Sequence, residues 1–138
     1  MRLIVAAAVV EGLMLATPGV PGQVRAGPGE IVGLSRVGMC ARTTVRSVGQ
    51  RLMDGGTGRV IPNSGSTITL ANGVIGISYD QIAGINGSRR ADPVLTCLVS
   101  IPRRCPPGDL RGRHYTTTNL RTLESWTLPD SAHGCGGA

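Results

Sequence analysis

Four cysteines, Cys40, Cys97, Cys105 and Cys135, constrain this 138-residue chain more than anything else in it. Three of them fall in the final third, CLVSIPRRC, PPGDLRG and RHYTTTNLRTLESWTLPDSAHGC. The same stretch holds the single tryptophan, Trp126, both histidines, His114 and His133, and one of the two tyrosines, Tyr115. In a short chain with an export segment, four cysteines read as two disulfides. Three pairings are open. Joining 97 to 105 and 40 to 135 stabilises by an amount within about 1 kcal/mol of joining 40 to 97 and 105 to 135 in the chain-entropy account. Loop entropy therefore does not choose. Geometry favours the second set. In a final hairpin centred on Leu120-Arg121, Tyr115 lies opposite Trp126, and that register carried outward brings Cys105 near Cys135. Cys97 sits mid-strand on an inward face and takes its partner from another layer, which leaves Cys40. The rival use of these residues is a metal site from Cys97, Cys105, His133 and Cys135. Zinc accepts such ligands, but no C-x-x-C knuckle is present, so no metal or other cofactor is assigned.

Residues 1–26 supply the export segment, MRLIVAAAVVEGLMLATPGVPGQVRA. Arg2 precedes an apolar run from Leu3 to Val10, extended by Leu13 to Ala16. Pro18 and Pro21 end any helix. Val24-Arg25-Ala26 resembles a cleavage site, the pattern of a secretory signal peptide. The run is shorter than the ~20 residues that span a bilayer. Glu11 inside the apolar run and the long stretch before Ala26 count against the pattern. The expectation is a signal peptide over 1–26 and a single secreted or periplasmic domain over 27–138.

The chain has no phenylalanine, and its 14 basic residues are all arginine against 8 acidic ones. The core must rest on Val, Ile and Leu, and a core this small gains from covalent staples. Thr43 to Met53 places Val45, Val48 and Leu52 on one helix face, with Thr43 as a cap. Asp54-Gly55-Gly56 ends it, and 54–66 reads as loop. Thr67 to Leu70 and Val74 to Tyr79 read as strands joined by Ala71-Asn72-Gly73, a hairpin turn. Val94 to Ile101 reads as the buried strand, with Leu95, Cys97, Val99 and Ile101 inward. Pro102 stops it, and Cys105-Pro106-Pro107-Gly108-Asp109 is a stiff corner. Arg113 to Thr118 and Glu124 to Leu128 form the last hairpin, with Asn119 opening its turn. The fold class expected is mainly β, with small α+β as the variant: a compact antiparallel sheet or small barrel with one short helix and two disulfides.

No hydrolase motif such as G-x-S-x-G or H-E-x-x-H and no phosphate loop appears. His114, at a strand start, and His133, in a polar tail, are the starting points for a small periplasmic hydrolase, an alternative class. The arginines point elsewhere. Arg89, Arg90, Arg103 and Arg104 bracket the central strand, and Arg111, Arg113 and Arg121 lie on or beside the hairpin. If their loops meet, they form a basic surface whose planar guanidinium forks suit carboxylates and phosphates. The partner class is an acidic protein or an anionic envelope component. A cytosolic nucleic-acid binder is the third class. Positive charge supports it, but the aromatics on which single-stranded bases stack are missing. The sequence reads best as a secreted, disulfide-stabilised binding protein, inhibitor-like or an envelope accessory protein, rather than an enzyme.

Overall fold

The structure, a computed structural model, describes residues 33–137; the leader expected over 1–26 lies outside them. In chain order the elements are β1 (Cys40–Gln50), β2 (Ser66–Leu70), β3 (Ile75–Ile77), α1 (Ala83–Asn86), β4 (Pro93–Ser100), β5 (His114–Asn119) and β6 (Ser125–Pro129). The strands form one antiparallel sheet in the order β3-β2-β1-β4-β5-β6. The protein is mainly β, with one short helix and two disulfides. The sheet curls until its edges meet: a Cβ added to Gly76 of β3 would lie 3.5 Å from Leu128 of β6.

The curl begins in β1. This strand pairs with β4 from Cys40 to Thr44 and with β2 from Val45 to Gln50. A β-bulge lies between Val45 and Ser47. Ala41 and Val45 face the core, Arg46 and Ser47 both stay exposed, and Val48 returns to the core. The extra residue bends the strand and raises its twist, which folds one half of the sheet over the other. The helix expected over 43–53 is therefore corrected to a strand. Val45 and Val48 are three apart because a bulge adds one residue to the two-residue period. Leu52, the third member of that supposed face, is exposed.

β4 is central and apolar, as expected, but its inward face is the other one. Val94, Thr96 and Leu98 are buried, whereas Val99 and Ile101 are exposed. Thr96 is tolerated inside because its hydroxyl accepts a 2.9 Å bond from the Thr117 hydroxyl, which removes the penalty of an unpaired buried oxygen. Cys97 consequently faces outward. It sits directly across from Cys40 at a non-hydrogen-bonded position of the β1–β4 ladder, with the Cα atoms 4.0 Å apart, and these are the positions where antiparallel strands approach most closely. The expected Cys40–Cys97 bond is present, but it joins neighbouring strands rather than two layers. Cys105–Cys135 is also present and ties the corner after β4 to the tail after β6.

The two hairpins follow local chemistry. Leu70 and Gly73 close the β2–β3 turn, with only Gly73 at positive φ; Asn72 keeps an ordinary φ. In the β5–β6 hairpin Thr117, not Tyr115, lies opposite Trp126, and Tyr115 pairs with Leu128. The turn is longer than expected, spanning Asn119 to Glu124. A two-residue slip keeps every side chain on its face, so Tyr115, Trp126 and Leu128 still point into the core. Helix α1 closes the remaining gap. Gly84 lets it approach the indole, since a Cβ there would sit 3.0 Å from Trp126 Cε3.

Candidate functional site

The arginines named from the sequence divide between the two ends of β4. Arg89 and Arg90 precede it, and Arg103 and Arg104 follow it. Eight extended residues separate the pairs, about 26 Å at ~3.3 Å per residue. The structure does not bring the four together. Arg121 belongs with the first pair, and Arg111 and Arg113 belong with the second.

At the first end the charges serve the fold. Asp92 and Asn119 are buried. The Arg121 guanidinium donates from Nε to Asp92 Oδ1 at 2.6 Å and from Nη2 to Oδ2 at 2.8 Å. Nη2 also donates to the Gly87 carbonyl at 2.7 Å. Asn119 Nδ2 donates to Asp92 Oδ2 and Ser88 Oγ, and its Oδ1 accepts from the Arg121 and Thr122 amides. The Arg121 fork and the Asn119 amide hold the Asp92 carboxyl far below the usual carboxylate range. Arg121 is thus committed to an internal pair. Arg89 and Arg90 stay exposed beside it.

The second end is the corner stapled by Cys105–Cys135. Asp109 organises it. Its carboxylate takes a two-point fork from Arg111, 2.9 and 2.8 Å, and the Gly136 amide at 3.0 Å. Those donors, Arg111 first, hold the Asp109 carboxyl far below its ordinary range. Arg103 and Arg104 are exposed, and Arg104 occupies the left-handed region at φ 62. Among the described residues the ion pairs are Asp109–Arg111 and Asp92–Arg121, so Arg103, Arg104 and Arg113 belong to none. A cleft of about 220 Å³ opens here, walled by Ile101, Pro102, Pro106 and Leu110, with Asp109 and Arg113 also on its lining. On β5, two residues after Arg113, the Tyr115 hydroxyl is buried with no hydrogen-bond partner among the described residues. Burial raises the phenol's pKa, and the nearby Arg113 charge opposes this in part without meeting the geometry of a hydrogen bond.

Among the described residues the histidines assemble no catalytic group. His114 Nδ1 lies 3.2 Å from both Ser100 Oγ and the Gly112 carbonyl. A carbonyl only accepts, so Nδ1 carries the proton in that contact and cannot take one from Ser100. His133 is exposed in the tail. Cys97, Cys105 and Cys135 are all oxidised, which removes the thiolates of the alternative zinc set. Among the described residues no group of His, Cys, Asp and Glu is placed to hold a metal ion, and no helix is long and apolar enough to cross a membrane.

Sequence reasoning missed one surface. Beyond β1 the chain runs on as a projecting arm over 51–65. Ile61 donates to the Leu52 carbonyl, Met53 bridges Val60, and Asp54 donates to the Arg59 carbonyl. The tip is held by Asp54 Oδ1, which accepts from the Gly56 and Thr57 amides and the Thr57 hydroxyl. Leu52, Met53, Val60 and Ile61 are all exposed. At its root the Arg51 guanidinium lies 4.0 Å over the Tyr79 ring, and the Tyr79 hydroxyl donates to the Ala132 carbonyl. The signal was the two apolar pairs, Leu52-Met53 and Val60-Ile61, that flank Asp54-Gly55-Gly56; the helix reading absorbs the first and the loop reading over 54–66 the second. Two disulfides with no free thiol among the described residues suit an oxidising compartment. No protein-family model, curated protein or solved structure matches the chain.

Proposed function

We propose that this is an exported, non-catalytic binding protein that holds an anionic partner, an acidic protein or an anionic envelope component, at its stapled corner. The observation that carries this is the imbalance of charge there. Arg103 and Arg104 project from the corner in no ion pair among the described residues, while the neighbouring carboxylate, Asp109, is already saturated by Arg111 and Gly136. The left-handed backbone of Arg104 supports the reading. A non-glycine residue in that region costs of order 1–3 kcal/mol and persists where the surroundings fix it, often at binding sites. The disulfide and two adjacent prolines fix it here. A rigid surface binds with little loss of conformational freedom.

The two ends of β4 provide an internal control. Arg103→Gln with Arg104→Gln removes the same charge as Arg89→Gln with Arg90→Gln. Each exposed replacement should move stability by less than about 0.5 kcal/mol. The corner variant should leave an anionic column at clearly lower salt than the variant of the other end. Identical elution would reduce the effect to net charge and remove the corner as a site.

A further inference from the structure

We infer that the cleft at the stapled corner is a subsite for an apolar carboxylate, with Arg113 as its anchor. The inference rests on reading that corner as an anion-binding surface, and it names the ligand chemistry. Arg113 is only partly exposed, lines the cleft, and forms no ion pair or side-chain hydrogen bond among the described residues. Arg111 and Arg121 each hold a carboxylate by a two-point fork. Two carboxylates lie near Arg113 without forming an ion pair with it. Asp109 faces Arg111, and Asp130 accepts the Gly112 amide at 2.7 Å. The Arg113 donors are thus open to a carboxylate entering the cleft, which would form a charge-assisted pair with them.

The walls narrow the class further. Ile101, Pro102, Pro106 and Leu110 offer apolar surface, and proline has no backbone N–H to donate. A phosphate would present three or four oxygens to walls with few donors. A carboxylate presents two, matching one edge of a guanidinium. About 220 Å³ is small beside the ~300 Å³ at which ordinary ligand pockets begin. The occupant is therefore one short branched apolar group carrying a carboxylate. Two sources share that chemistry: a free short-chain acid, or the C-terminal residue of a peptide.

Titration of the full mature protein with 4-methylvalerate and with N-acetyl-alanyl-leucine, each against its neutral amide, tests this by amide resonance shifts. At least one acid should shift Gly108, Leu110 and Arg113 saturably, at least tenfold more tightly than its amide, the factor expected for one charge-assisted bond. The tighter acid identifies the source. Arg113→Gln should reduce the acid to the level of the amide, and Arg89→Gln with Arg90→Gln, at the far end of β4, should leave it unchanged. No saturable shift from either acid up to about 10 mM, a concentration well above a millimolar Kd, would overturn the subsite. So would equal binding of acid and amide. The acid-against-amide comparison needs no variant, so misfolding of Arg113→Gln would not shield the inference. Loss of column retention in the Arg103/Arg104 variant alongside failure of both acids would sink the cleft and spare the corner.

Discussion

Asn119 shows how much one side chain can hold. It is fully buried, and its amide joins Ser88, Asp92 and the turn amides of Arg121 and Thr122. Asn119→Ala leaves several of those groups unpaired and should cost about 1–3 kcal/mol, read from urea unfolding. Asp92, in the same network, sets a dependence on acidity. Its folded pKa lies below its unfolded value because Arg121 and Asn119 favour the anion. Stability from such a group is present above the unfolded value of about 3.9 and drains away as pH falls below it. Asp109 acts with the same sign, whereas burial raises the Asp130 pKa, so protonating that group relieves the fold. The gap in urea midpoint between the parent and Asp92→Asn should therefore be wide at neutral pH and narrow in acid. A gap unchanged by pH would show that the charge of Asp92 does not matter.

The elements differ in how far their residues betray them. The β2–β3 hairpin was legible because its turn residues and its alternation agree. The last hairpin was legible in its faces but not its register, since Asn119 draws the turn around itself and lengthens it. β1 was not legible: its bulge makes a strand imitate helical spacing, and the bulge exists because the sheet must curl. The face of β4 was hidden because both of its faces are apolar and the inward one carries a polar Thr96, satisfied only by Thr117 across the ladder. The packing of α1 depends on a similar long-range fact. Gly84 rests on the Trp126 ring, so Trp126→Ala should cost roughly 3–5 kcal/mol by opening a cavity under the helix. A loss well under about 1 kcal/mol in thermal or urea unfolding would contradict the burial of the indole.

At the scale of the molecule, the arginines and the stiffness of the corner could be read from composition and from Pro106-Pro107. The cleft could not: its walls all come from the one stretch 101–113, but the turn that stretch makes is tied by the Cys105–Cys135 bond and by the Gly136 amide on Asp109. The pattern of crosslinks has a further consequence, for cleavage by proteases. Arg59 in the arm and Arg104 in the corner are both exposed. A cut after Arg59 leaves Cys40 on one piece and Cys97 on the other, so the bond between them still joins the halves. A cut after Arg104 leaves Cys40–Cys97 wholly on one piece and Cys105–Cys135 wholly on the other. Limited trypsin digestion followed by electrophoresis without reductant should show arm-cleaved protein as one band and corner-cleaved protein as two. The same chain would outlive the first wound as a two-chain molecule, while after the second its halves would be held by the β4–β5 ladder and the core alone.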